Sequence, residues 1–331
     1  LFFCNVAHFL VVVMLMLALL GEYDDVRVIF GILVLHGAAR AFFHTAGQAI
    51  LPNIVQTEAF PKAVAYSSSI NKAAQLIGPA FGGGLIAWAG DWTYYVTLSM
   101  FALSAISSII ISARLKLEAP DKMTLSTLLG GFNFIWKNKI VLGAISIDLM
   151  AVLLGGVMGL LPIYASDILK VGADGLGIMR AMPGVGSLIM GLWLSQISSP
   201  RFIGPYLFIS LFIFGFSIIV FSLSEIFWLS LIALTIYGAS DMVSVYIRLT
   251  LVQLATPDQM RGRVSAVNSV SINASNELGD FRAGLCAAGI GTIPAVLLGG
   301  VATLGVTAIW FRCFPNIRRI DSFEDVEKRT T

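Results

Sequence analysis

Apolar runs of about twenty residues recur along the whole chain, separated by short polar or Gly/Pro breaks, and this feature restricts the fold more than any motif does. A bilayer core about 30 Å thick is crossed by about 20 apolar residues of helix. In lipid, every backbone N–H and C=O must find its partner inside the segment or in a closed barrel. Ten runs are read as spans, over residues 1–20, 26–50, 64–89, 93–113, 141–165, 176–197, 202–223, 226–254, 262–288 and 293–312. Of 331 residues, 57% are hydrophobic and only 12% charged, against about 25% charged in a soluble domain. A water-soluble fold and a disordered chain are therefore excluded, and the expected class is all-α integral membrane.

The positive charges orient the spans, because short cytoplasmic loops collect Lys and Arg. If residue 1 is cytoplasmic, the inside segments hold 14 of the 21 Lys and Arg, and the outside loops keep only Arg27 and Lys170. The other five, Arg40, Lys72, Arg180, Arg248 and Arg282, lie within spans. A multi-pass protein of the cell (inner) membrane with both ends cytoplasmic is expected. The longest polar break runs from Arg114 to Lys139, and within it Leu125, Leu128, Leu129, Phe132 and Ile135 keep helical spacing. A short amphipathic helix on the membrane surface is predicted there. The expected domains are a bundle over 1–113, a linker over 114–140, a six-helix bundle over 141–312 and a cytoplasmic tail over 313–331. The net charge of +2 gives no sign of a nucleic-acid partner, and Cys4, Cys286 and Cys313 have neither disulfide-framework nor zinc spacing.

A weak internal repeat appears at an offset of 201, where Ala65, Ser68, Ala73, Gly78 and Gly83 match Ala266, Ser269, Ala274, Gly279 and Gly284. Both copies follow a turn with helix-start chemistry. Thr256, Pro257 and Gln259 read as an N-cap, a proline at the first helical position and the acceptor of a capping box, with Thr57, Glu58 and Pro61 as the counterpart. Parallel repeats about an axis along the membrane normal build one large class of transporters. On that offset the partner of the second half starts about 60 residues ahead of Leu1, which implies two further helices and twelve in all, in two sets of six.

Leu76 to Leu85, reading LIGPAFGGGL, resembles the antiporter motif on the fifth helix of major facilitator superfamily exporters. Gly78, Pro79, Gly82 and Gly83 match its GPxxGG core, while Ala65 and Ala74 stand where the family has glycine. Leu251 to Asn268, with LLPIYASDIL and GLGIMRAMPGVG before it, resembles the enterobactin-exporter-like, drug–proton antiporter branch. The resemblance implies the major facilitator fold, with residues 1–113 as its helices three to six. It also implies efflux of a small, drug-like or siderophore-like molecule. The family's loop motif between helices two and three would lie upstream of Leu1.

Charges inside the membrane are the candidate site, since each costs at least about 2.5 kcal/mol at the bilayer centre unless it faces a partner or water. Tyr237, Asp241, Ser244 and Arg248 fall on one helix face, lining a cavity or pairing with neighbouring helices. Glu277 and Asp280 are three residues apart and adjacent on the helix surface. Two carboxylates that close in low dielectric make a group able to load and release a proton; pairing with Arg282 or another helix is the plainer alternative. Asp148 reads as a cavity group or a helix-end residue. His36, Arg40 and His44 recur every four residues, and Arg40 resembles the family's fourth-helix arginine, with Phe43 and His44 where glutamine and glycine are expected. Arg40 reads as a proton-responsive or substrate-contacting group, or as a structural ion pair. Arg180 and Lys72 lie near helix starts, where snorkelling is the default. The glycines of the motif let helices approach closely.

The leading expectation is a secondary transporter working by alternating access, driven by protons, binding a small molecule as a monomer, without cofactor or metal. Asp148, Asp241, Glu277 and Asp280 would handle protons, with Arg40, His44, Arg180 and Arg248 as partners or substrate contacts. The rival is a lipid-modifying membrane enzyme. Its usual clusters are missing from the sequence, since His8, His36 and His44 are scattered and no GxSxG, HExxH or phosphate loop occurs. A shortened chain that does not transport by itself is the third reading.

Overall fold

The computed structural model describes residues 1–20, 25–54, 74, 78, 81–110, 125–196, 201–323 and 325–326. Its helices are α1 (Phe2–Leu20), α2 (Val26–Ile54), α3 (Trp92–Ile110), α4 (Leu125–Lys137), α5 (Lys139–Gly155), α6 (Gly172–Ser195), α7 (Ile203–Leu223), α8 (Phe227–Leu254), α9 (Asp258–Ile290), α10 (Thr292–Cys313) and the short α11 (Pro315–Arg318). Among the described residues every expected span has its helix, apart from 64–89, where 81–89 are helical and most of the rest falls outside them. Lys72, Pro79, the start signal at 57–61 and most of the first repeat copy also lie outside the described residues. Seven of the described helical stretches are long and apolar enough to cross a membrane, and Phe2–Ala18 is a shorter apolar one. α9 is long enough at 33 residues, but it carries Asp258, Arg261, Arg263, Glu277, Asp280 and Arg282.

The chain forms two units, Leu1–Gln75 with Gly84–Ala119, and Leu76–Gly83 with Pro120–Thr331. In the first, α1 packs on α2 and α3. Asn5 Nδ2 donates to Ser108 Oγ at 2.9 Å, tying α1 to α3. The buried His8 ring stacks on Phe101 at 5.3 Å and meets His36 edge-on at 5.1 Å.

In the second unit α8 packs on α5, α6 and α7, and α10 on α5, α7 and α9. Between membrane helices, close packing supplies what water would otherwise drive, so small residues mark the seams. A Cβ on Gly186 of α6 would run into the Thr235 carbonyl of α8, and one on Gly238 into that of Pro183. α9 turns into α10 through Gly291 alone, at φ 90°, a conformation open to glycine.

One local reading is corrected. Thr256, expected to cap α9, instead donates its hydroxyl back to Val252 O at 2.6 Å, and α9 starts at Asp258 with no side-chain cap on Pro257. The hydroxyl has a nearer acceptor in the last turn of α8, whose carbonyls lack helical partners. The tail after Cys313 packs onto the second unit. Ile317, Ile320 and Val326 are buried. Gly204 N–H donates to Ile320 O at 3.0 Å, Ile203 N–H to Asp321 O at 3.3 Å and Phe202 N–H to Asp321 Oδ1 at 3.2 Å, so the tail serves the free donors that begin α7.

Candidate functional site

α5 is where the second unit departs from regular helix. It ends at Gly155, and after Gly156 and Val157 the chain continues as a 3₁₀ turn (Met158–Leu160), a short α turn (Leu161–Ile163) and a π turn (Tyr164–Ile168). Pro162 lacks an N–H and the glycines resist helix, so the break is written in the sequence. Breaking a helix in lipid frees carbonyls that must be satisfied. Here Arg282 of α9 does it: Nε donates to Leu153 O at 2.9 Å and Nη2 to Leu154 O at 2.6 Å. Beyond the break, Gly159 N–H donates to Asp280 Oδ1 at 3.0 Å. The close approach needs glycine on both sides, because a Cβ on Gly279 would lie 2.9 Å from Val152 O and one on Gly156 3.1 Å from the Gly279 carbonyl carbon.

The charged groups acting on Asp280 are Glu277, exposed one turn away on α9, and Arg180, exposed on α6. Asp280 itself is half-buried. Asp280 and Asp241 both act electrostatically on Tyr237, whose ring stacks on Phe214 at 4.4 Å. Lower on the same face of α8, Arg248 Nη1 lies 2.5 Å from Asp148 Oδ2 of α5, and both side chains are 7% exposed. Arg248 Nε donates to Ser244 Oγ at 2.9 Å. α5 is therefore tied to α8 before its break and to α9 at the break.

Of the expected site residues, Asp148 joins Arg248, and Asp280 gathers Glu277, Arg180 and, through Tyr237, Asp241. Arg40 is exposed on α2 in the first unit, where its charge acts on His36. The His44 side chain and Pro79 lie outside what the structure describes. Of the motif glycines, a Cβ on Gly78 or Gly82 would meet open space, whereas one on Gly83 would lie 2.7 Å from Gly177 Cα. Arg282 is the residue that sequence reasoning passed over, noted only as a possible partner. The signal was there in Gly155-Gly156, Gly159 and Pro162, a cluster of helix breakers inside an apolar span. Among the described residues no group of three His, Cys, Asp or Glu is placed to hold a metal.

The sequence profile of the Major Facilitator Superfamily matches residues 1–279. The chain belongs to that superfamily. That superfamily is one of multi-pass membrane transporters, and membership in it removes the lipid-modifying rival. Similar curated relatives include Enterobactin exporter EntS of Escherichia coli O81 (strain ED1a), 25% identical over 261 residues covering 78% of this chain and 59% of the relative. Enterobactin exporter EntS of Citrobacter koseri is 24% identical over the same length. The chain thus spans about three fifths of the length of these relatives. Its fold is similar to the crystal structure of a bacterial homolog to the human lysosomal transporter Spinster, in an inward-facing and occupied conformation. The TM-score is 0.63 at 13% identity, over 100% of this chain and 83% of that one; at that identity the likeness concerns the fold alone.

Proposed function

We propose that this superfamily member exports a small, drug-like or siderophore-like molecule across the cell membrane by alternating access, driven by protons moving inward, as a monomer with both ends cytoplasmic. The export direction and substrate class draw support from the relatives named as enterobactin exporters. The observation that carries the coupling is the Asp280 contact at the break in α5.

When Asp280 is charged, its bond from Gly159 N–H is charge-assisted and about twice as strong as a neutral one. That bond holds Met158–Ile168 against α9. A proton on Asp280 removes the charge and weakens the hold, so the segment beyond the break can change its angle. Arg282 keeps the carbonyls of Leu153 and Leu154, and the buried Asp148–Arg248 pair anchors the first half of α5. The break is then a hinge with one fixed arm and one released by protonation. Glu277 and Arg180, of opposite charge, bias Asp280 in opposite directions, and Asp241 extends the polar face toward Ser244. In the first unit Arg40 and His44 are the proposed contacts for an anionic substrate or a proton, and in the second unit Gly83 of the motif serves close packing against Gly177.

The test is proton flux in proteoliposomes under an inside-acid gradient, followed with an internal pH dye while candidate drugs and siderophores are added. Substrate-dependent flux is expected from the wild type and a loss of at least about tenfold from Asp280→Asn, with a smaller loss from Glu277→Gln. Undiminished flux in Asp280→Asn would overturn the assignment of Asp280, and substrate export without proton movement would overturn proton coupling.

A further inference from the structure

α6 and α7 both pack on α8 but barely on each other. The cleft left between them holds a cavity of about 760 Å³, lined by Trp193 of α6, Tyr206, Ile209 and Ile213 of α7 and Val243 of α8, with Arg201 at its mouth. The lining is apolar along its length and carries one charge, at one end. No acidic side chain lines it, and among the described residues Arg201 is exposed without a carboxylate partner.

Depth identifies what fits. From Ile203, where α7 starts just past Arg201, to Ile213 at about 1.5 Å per residue is about 15 Å, which matches one leaflet, half of a core about 30 Å thick. Beyond Ile213 a second cavity of about 440 Å³ continues between α7 and α8 past Phe216, with no charged residue in its lining. Trp193 and Tyr206 are 58% and 52% exposed and stand near the charged end, as aromatic residues do at the level of lipid headgroups. A guanidinium forks onto phosphate oxygens, and basic pockets between membrane helices take anionic headgroups.

We propose that this cleft binds an anionic phospholipid from the leaflet on the Arg201 side, with the phosphate on Arg201 and an acyl chain lying along Ile209 and Ile213 between α6 and α7. The lipid fills a gap that the protein's own helices leave, and it adds stability to the folded bundle by binding it. The site is independent of the transport reading: it requires neither a substrate nor a coupling ion.

The test uses the detergent-purified protein, titrated with phosphatidylglycerol and with phosphatidylcholine of the same chains, and reads bound lipid by native mass spectrometry and the midpoint of thermal unfolding. The wild type should retain phosphatidylglycerol preferentially and gain midpoint with it. Arg201→Gln should weaken the preference about fivefold, the effect expected of one basic group at a membrane surface, whereas Arg319→Gln, an exposed arginine of the tail, should leave it intact. Ile209→Trp, which narrows the cleft from an exposed position and keeps Arg201, should lower retention as well, so the proposal stays testable if Arg201→Gln folds poorly. Equal binding of the two lipids in the wild type, or a preference lost equally in Arg319→Gln, would overturn it. So would full retention in Ile209→Trp.

Discussion

Arg248 and Asp148 illustrate what a charge inside a membrane requires. Each was recognisable in the sequence as an ionisable group within an apolar span. Their partnership was not, since it joins helices 100 positions apart and no periodicity reports on that. Removing one member strands the other in a dry environment. Arg248→Met should therefore destabilise the protein by about 3–5 kcal/mol, whereas Asp148→Leu combined with Arg248→Met should recover most of the loss. Thermal unfolding of the two singles and the double, arranged as a cycle, measures this; a loss in the double variant equal to the sum of the two single losses would show that the pair contributes no coupling. Arg282 teaches the complementary lesson. Its acceptors are two backbone carbonyls, and a backbone group becomes available only when the fold breaks a helix, which side-chain patterns show indirectly at best.

Helices were legible at the scale of elements because lipid leaves few alternatives: an apolar run of sufficient length has to be a helix. The interruption of α5 was missed although its glycines and proline were plain, because periodic hydrophobicity continues across it and dominates the reading. The docking of the tail was not legible for the opposite reason. Its buried side chains, Ile317, Ile320 and Val326, are too few and too irregularly spaced to announce an element, and they find their place only once α5 and α7 present a surface. Gly204 gives a direct check, since a Cβ there would collide with the Ile317 carbonyl oxygen. Gly204→Ala should displace the tail, lower the unfolding midpoint and speed tryptic cleavage at Arg318 and Arg319. Gly305→Ala in α10, where a Cβ would meet open space, should leave cleavage unchanged and stabilise by up to about 1 kcal/mol through helix propensity. Unchanged cleavage in Gly204→Ala would mean that the tail is not docked at the start of α7.

For the whole molecule the proposed topology puts the exposed Cys313 on the cytoplasmic side. In a protein with Cys4 and Cys286 replaced by alanine, a membrane-impermeant maleimide should label Cys313 only after the cells are opened; labelling of intact cells would reverse the orientation. The central claim, that Asp280 holds the segment beyond the break in α5 until it takes up a proton, is tested most directly by amide hydrogen exchange over residues 156–168. Asp280→Asn imitates the protonated side chain while keeping its shape. The account predicts faster exchange across 156–168 in Asp280→Asn, with α7 and α10 unchanged, and a similar increase in Arg282→Gln that extends back to Leu153 and Leu154. Exchange over 156–168 identical to the wild type in Asp280→Asn would contradict it.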